Sequence, residues 1–198
     1  MKKIVLAMTL LLATAAGYAQ TATQVLDRAA EKLSVKSGVK ADFKATMSQG
    51  TISGTIAVKG NKFMATTQHT KVWFDGKTQW IYMTRNDEVN VSNPKDSELQ
   101  SLNPYNFINM YKKGYKSTMR KTANSYVVHL TADSKAKKVQ ELFITVDSKS
   151  YAPTQVKMLQ GKSWITFDVS NLKAQQLSDA MFRFNAKDFP TAEVIDLR

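Results

Sequence analysis

The sequence contains no cysteine, and it has only two histidines among its 198 residues. Without a thiol the chain can form no disulfide, and it lacks the cysteine through which exported bacterial proteins are attached to lipid. We therefore expect the protein to be neither disulfide-bonded nor lipid-anchored.

Long apolar runs are also scarce, and the cleanest one extends from Ile4 to Ala16. It is shorter than the roughly 20 residues that a membrane-spanning helix needs. Two lysines precede the run, and Gly17-Tyr18-Ala19 follows it with small residues where a signal peptidase reads. We expect residues 1–19 to be a signal peptide cleaved after Ala19, and residues 20–198 to form one soluble domain.

Groups that could carry catalysis are few. No serine lies in a Gly-x-Ser-x-Gly elbow, and no glycine loop has the pattern that binds phosphate. His129 falls in an alternating strand, and His69 lies in a polar turn without a second histidine at metal-binding spacing. We expect no enzyme activity, no metal and no cofactor.

The charge is strongly basic, with 28 Lys and Arg against 16 Asp and Glu and a net charge of +12. The lysines are scattered along the chain, which is typical of solvated strand faces. Export removes the protein from most nucleic acid, so we expect no nucleic-acid partner. Anionic membrane surfaces stay open as a partner.

The amino-terminal half combines one helix with a meander of strands. Thr21 and Gln24 have capping-box spacing, and an apolar stripe follows, which predicts a helix over Ala22 to Ser34. Period-two alternation then predicts strands. These are Val39 to Met47, Ile52 to Val58, a strand opening at Phe63, and a strand around Val89 and Val91.

Asp75-Gly76 predicts a two-residue hairpin turn that joins Val72–Phe74 to Thr78–Met83. The second strand is apolar on both faces, with Trp80 and Tyr82 on one and Ile81 and Met83 on the other. Such a sheet needs a cover on each face, and we expect helices on one side and a bound apolar ligand on the other.

The middle of the chain predicts a second helix, because Asn103-Pro104 forms a start signal and Gly114 a stop signal. The helix would span Tyr105 to Lys113 and be buried, since it is apolar nearly all round. Strands then resume and are predicted over Tyr115–Lys121, Ser125–Thr131, Glu141–Asp147, Thr154–Leu159, Trp164–Val169 and Leu177–Phe184.

These elements predict an α+β fold: a single large curved antiparallel sheet forms an incomplete β-barrel, with helices plugging or lidding an apolar cavity. Methionines and aromatic residues are abundant and suit an adaptable lining, although ordinary core packing explains any one of them equally well. The candidate acyl-binding residues are Phe43, Met47, Ile56, Val58, Phe63, Trp80, Tyr82, Phe107, Met110, Ile144 and Phe167.

Four stretches together resemble the outer-membrane lipoprotein carrier family, LolA, and its relatives in the Bacteroides group. They are the amino-terminal helix leading into Val39–Met47, the strand Gly54–Phe63, the hairpin Asp75-Gly76-Lys77-Thr78-x-Trp80-x-Tyr82, and the tail from Phe182-x-Phe184 to Arg198. The resemblance implies an open barrel of about eleven strands whose helices form a lid over an apolar cavity.

The resemblance also implies a function. It predicts a monomeric periplasmic carrier that receives acylated lipoproteins from an inner-membrane ABC transporter and delivers them to an outer-membrane acceptor or to the outer membrane itself. Phe63 matches an aromatic residue of the cavity mouth. Gly60 is a departure, because it replaces an arginine that family members carry after the lysine.

Other functions are compatible with the same pattern. The protein could sense lipids or mislocalised lipoproteins, bind envelope lipids in general, or act as a scaffold whose sheet is packed shut. Polyanion binding is a further alternative that the basic charge allows.

Overall fold

The computed structural model of the protein describes residues 20–95, 110–112 and 114–198. The predicted signal peptide and most of the predicted helix Tyr105–Lys113, including Phe107, lie outside these ranges. The described part of that helix, Met110–Lys112, forms one short 3-10 helix.

Helix α1 (Ala22–Leu33) begins at the predicted capping box. Thr21 Oγ1 accepts a hydrogen bond from the Gln24 backbone N–H at 3.2 Å, and Gln24 Oε1 accepts one from the Thr21 backbone N–H at 3.0 Å. These bonds satisfy N–H groups that the helix itself leaves unpaired. The buried side chains form one stripe: Val25, Leu26, Ala29, Ala30 and Leu33.

Twelve strands follow in the part of the chain that the structure describes. They are β1 (Val39–Met47), β2 (Gly50–Lys59), β3 (Lys62–Thr67), β4 (Thr70–Phe74), β5 (Gln79–Met83), β6 (Glu88–Ser92), β7 (Tyr115–Lys121), β8 (Ser125–Ala132), β9 (Val139–Asp147), β10 (Pro153–Gln160), β11 (Ser163–Ala174) and β12 (Glu193–Asp196).

All twelve belong to one sheet in the order β12-β6-β5-β4-β3-β2-β1-β11-β10-β9-β8-β7. Every neighbouring pair is antiparallel except β12 and β6, which are parallel. Strands β12 and β7 are the two edges, so the sheet is not closed into a barrel. Because α1 packs in one core with residues from both halves of the sheet, the sheet curves around the helix. The predicted fold class is confirmed.

The two faces of the sheet follow from the register, since directly paired residues in antiparallel strands share a face. Val58, Phe63 and Phe74 are paired across β2, β3 and β4 and lie in the same core as α1. We call this the inner face. Ala57 and Trp73 mark the opposite, outer face.

The hairpin between β4 and β5 differs from the predicted two-residue turn. Phe74 pairs with Gln79, so four residues form the loop. Asp75 Oδ1 accepts hydrogen bonds from the backbone N–H groups of Lys77 at 3.0 Å and Thr78 at 2.9 Å, and Gly76 takes a φ of +102°. The carboxylate stabilises the longer loop because it satisfies two N–H groups that the ladder leaves unpaired.

The predicted strand over Leu177–Phe184 is wrong. Ser178 Oγ accepts a hydrogen bond from the Ala180 N–H at 3.3 Å and caps a 3-10 helix over Asp179–Phe182. A serine followed by an acidic residue favours such a turn over an extended strand. Leu177 and Phe182 are buried together with Ala57, so this segment packs on the outer face.

The tail, meaning residues 177–198 from here on, then adds β12, which the sequence patterns did not predict. The Glu193 N–H donates to the Asp87 carbonyl at 2.9 Å, and β12 runs parallel to β6. Pairing with β12 satisfies the backbone groups of β6 on that side, and β12 itself becomes the edge of the sheet. The tail therefore covers both the outer face and one edge.

Phe63 provides a test of the closed core. It is fully buried, and its ring lies 5.5 Å from that of Phe74. We expect Phe63→Ala to lower the free energy of unfolding by about 3–5 kcal/mol, because it leaves a cavity in a core that α1 also fills. Urea unfolding checks this, with Phe63→Leu as a milder comparison. A loss below about 1 kcal/mol for Phe63→Ala would contradict the closed core.

Candidate functional site

The inner face of strands β1–β5 contains a fully buried row of paired residues beside α1. We call it the floor row, and it consists of Val39, Val58, Phe63, Phe74 and Gln79. Every member is buried, and the four apolar members belong to the core that contains the helix. This end of the inner face is closed.

The next row of the inner face is apolar but only partly covered. We call it the apolar row, and it consists of Ala41, Ile56, Ala65, Val72 and Ile81. Ala41 is buried, whereas the other four are half-buried. Along β2 the exposure rises from 5% at Val58 to 44% at Ile52. The apolar surface therefore continues beyond the point where the closed core ends.

Aromatic side chains extend this surface toward β11. Phe43 is half-buried and lies over Gly54, where an added Cβ would come within 2.9 Å of the Phe43 ring and 2.2 Å of the Thr66 carbonyl oxygen. Phe167 pairs with Ala45 on the same face and is half-buried as well. Glycine at position 54 thus makes room for the ring.

The structure places the sequence-predicted site residues in several surroundings. Val58, Phe63 and Ile144 lie on the inner face but are fully enclosed in the core. Five candidates are half-buried on or against the inner face, and these are Phe43, Met47, Ile56, Phe167 and Met110. Phe107 lies outside the described residues.

Trp80 and Tyr82 lie on the outer face, away from the other candidates. Trp80 pairs with Trp73, and the Tyr82 ring lies 4.6 Å from that of Phe189. The Tyr82 hydroxyl donates to Asp87 Oδ1 at 2.9 Å, and this bond raises the pKa of Tyr82. Tyr82 therefore contacts the tail, and Trp80 lies beside Trp73 on the same outer face.

The predicted site residues omit several half-buried residues of the inner face, among them Val72, Ile81, Met83 and Ile165. Strand alternation contained the signal for Ile81 and Met83, because they alternate with Trp80 and Tyr82. If Trp80 and Tyr82 are assigned to the outer face, Ile81 and Met83 must point to the inner face.

The tail forms an open groove on the outer face. Phe184 and Phe189 pack their rings edge-on against Trp73 at 5.7 and 5.6 Å. The groove has a volume of about 670 Å³ and is lined by Met64, Lys71, Trp73, Ala180, Met181, Arg183, Phe184, Asn185, Asp188 and Phe189. The cover of this face is thus a segment of the chain.

Ion pairs hold the tail against the β2–β3 turn. Asp179 lies 3.0 Å from both Lys59 Nζ and Lys62 Nζ, and Lys59 also donates to the Leu177 carbonyl at 2.8 Å. Between the two lysines, Gly60 has a φ of +60°, a conformation that glycine adopts without steric cost. Both flanking lysines are therefore used for docking the tail.

Residues 20–95, 110–112 and 114–198 contain neither a candidate metal site nor a membrane-spanning helix. No group of three potential metal ligands occurs there, and no helix there is long and apolar enough to cross a bilayer. His129 lies 3.1 Å from Glu141 on the outer face and stacks on Phe143 at 4.2 Å. It is a hydrogen-bonded sheet residue, as predicted.

An open, curved sheet that wraps one helix and leaves a row of apolar side chains partly covered defines the protein as a β-half-barrel. The chain belongs to the family described as outer membrane lipoprotein carrier protein LolA, whose model matches residues 12–162. The resemblance found in the sequence is confirmed. A comparison with curated proteins gave no match.

Solved structures with the same architecture include an uncharacterized conserved protein from Thermus thermophilus. It has a TM-score of 0.62 and 14% identity, over 89% of this chain and 99% of that chain. A LolA superfamily protein from Nitrosomonas europaea has a TM-score of 0.47 and 12% identity, over 84% of this chain and 99% of that chain. At such identities the Thermus structure supports the fold and nothing more.

Asp179 allows a test of how the tail is docked. We expect Asp179→Asn to speed backbone hydrogen exchange in residues 177–189 and leave β8 and β9 protected, because it removes both lysine contacts. Asp188→Asn is the matched control, since it neutralises an exposed acid in the same segment. Equal exchange in the two variants would show that the ion pairs do not hold the tail.

The contact of Asp179 with the two lysines predicts that docking of the tail depends on pH. Hydrogen bonds from Lys59 and then Lys62 hold the pKa of Asp179 below its ordinary value. Its stabilising effect is therefore complete above the ordinary carboxyl pKa, about 3.9, and is lost as the pH falls through the lower folded-state pKa. The protection of residues 177–189 against hydrogen exchange, taken relative to the intrinsic exchange rate at each pH, should fall over that acid range in the wild type. Asp179→Asn should show a smaller fall, since only the ion pair between Asp75 and Arg183 still titrates in this segment.

Proposed function

We propose that the protein is a carrier that binds the acyl chains of lipoproteins on its inner face and moves them through the periplasm. The observation that carries this proposal is the half-buried apolar row beside a closed core. A wide apolar surface that the protein itself covers only in part suits a ligand that completes the cover. Membership of the carrier family supports a lipoprotein as the source of that ligand.

Burial alone is enough to hold such a ligand. Each methylene removed from water contributes about 0.8 kcal/mol, so ten methylenes contribute about 8 kcal/mol before the cost of association is subtracted. Half-buried methionines on the inner face, such as Met47 and Met83, adapt their shape to chains of different length. Binding of this kind is reversible and requires no catalytic group.

The route of the cargo follows the family pattern with one change. An inner-membrane ABC transporter would load the carrier, and an outer-membrane acceptor or the outer membrane itself would receive the lipoprotein. Gly60 provides no side chain at the position where family members carry an arginine, and Lys59 and Lys62 are engaged with Asp179. Release would therefore proceed without an arginine at this turn.

Native mass spectrometry tests the proposal directly. Protein purified from a bacterial envelope extract should carry acyl lipid or lipoprotein, and delipidated protein should take up a synthetic diacylated lipopeptide. Protein that is empty as isolated and takes up no lipopeptide would overturn the proposal.

Ile56 and Thr55 form a matched pair for locating the bound chain. They are neighbours in β2, with Ile56 half-buried on the inner face and Thr55 exposed on the outer face. We expect Ile56→Gln to weaken lipopeptide binding at least tenfold, because the amide replaces apolar contact and must itself be desolvated. Thr55→Gln adds the same side chain on the other face and should leave binding unchanged.

Both variants should be measured for lipopeptide affinity and for thermal unfolding. Because Ile56 is only half-buried, its replacement should lower the unfolding temperature by a few degrees at most. Equal affinity in the two variants would place the acyl chain elsewhere than on the inner face.

A further inference from the structure

Gln79 is a buried amide that lacks a hydrogen-bond partner. It is the polar member of the floor row, and its exposure is 4%. Its Nε2 donates no hydrogen bond to any acceptor in the part of the chain that the structure describes. Buried amide donors are nearly always paired, because an unpaired donor loses its bonds to water without replacement.

The surroundings of Gln79 explain why the amide is unpaired. Its neighbour in the floor row is Phe74, whose ring packs on that of Phe63. These side chains offer no oxygen that could accept a hydrogen bond. Ser92, the direct partner of Gln79 on β6, carries a hydroxyl, but Nε2 forms no hydrogen bond with it.

The position of Gln79 connects the donor to the candidate site. The next inner-face residue along β5 is Ile81, the last member of the apolar row, and on its other side Gln79 pairs with Ser92 at the end of β6. The amide therefore lies where the closed floor meets the apolar row. A ligand that extends from that row into the floor would meet a donor whose hydrogen bonds are unused.

We propose that Gln79 Nε2 donates a hydrogen bond to the carbonyl oxygen of the bound acyl group, so that the site selects ester- or amide-linked acyl chains over alkyl chains without a carbonyl. This inference rests on the proposed function, and it adds the chemical class that the carrier prefers. A neutral carbonyl supplies the acceptor that the amide lacks. No Lys or Arg occurs in the floor row or the apolar row to balance a free carboxylate.

The expected selectivity follows from the difference between an ester-linked and an ether-linked chain. An ester carbonyl would pair the buried donor, whereas an ether-linked alkyl chain of the same length would leave it without a partner. Apolar burial is nearly equal for the two chains and cancels in the comparison. Pairing of one buried donor corresponds to a preference of about tenfold for the ester.

The experiment compares two synthetic phosphoglycerol lipids with equal chain length, one with two ester-linked and one with two ether-linked chains, in competition for delipidated protein. Wild-type protein should bind the ester about tenfold more tightly than the ether. Gln79→Leu should bind both within about twofold and keep the wild-type affinity for the ether. Gln68→Leu, which changes an exposed glutamine between β3 and β4, should keep the tenfold preference.

Gln79→Met provides a second, unbranched replacement, and both variants should unfold at or above the wild-type temperature because an unpaired donor has been removed. Equal binding of both lipids by the wild type, or a tenfold preference that survives in Gln79→Leu and Gln79→Met, would overturn the role of Gln79 and leave the carrier proposal standing. Failure of both lipids to bind the wild type would overturn this inference, whereas the carrier proposal falls only if the diacylated lipopeptide is not bound either.

Discussion

The structure depends on one constraint, which is that the strands around β4 and β5 carry large apolar side chains on both faces. An antiparallel sheet normally leaves one face to water, and this sheet cannot. Helix α1 shares one core with the floor row on the inner face, and the tail covers the outer face with Phe182, Phe184 and Phe189. Helix α1 does not bury the whole inner face of the sheet. The apolar row is the part of that face that stays half-buried.

The two covers meet at one end of the sheet. The β2–β3 turn carries Lys59 and Lys62, which hold the tail through Asp179, and the same hairpin supplies Val58 and Phe63 to the floor row. Burial therefore falls along β2 from the turn toward Ile52. A curved sheet that is held at one end and progressively uncovered toward the other has the shape that an open half-barrel needs in order to receive a ligand.

Much of this fold could be predicted from the sequence, because local rules and the final structure agree. The capping box of α1 and the alternation of β1 each specify one element through short-range contacts. The tail was predicted less well, since the short turn at Asp179 and the strand β12 are stabilised by contacts with distant residues. Long-range pairing of this kind leaves no periodic signal in the sequence.

The structure brings part of the predicted site residues together on the inner face, and the separation of Trp80 and Tyr82 from them has a single physical cause. Alternation separates Trp80 and Tyr82 from Gln79 and Ile81, but it does not say which set points inward. The prediction placed the aromatic pair inward because aromatic residues suit an apolar lining. The structure shows the opposite, since it buries Gln79 beside Phe74 and places Tyr82 against Phe189. The unpaired amide of Gln79 destabilises the floor row. A ligand carbonyl that accepted its hydrogen bond would offset that loss, which gives the residue a role in binding.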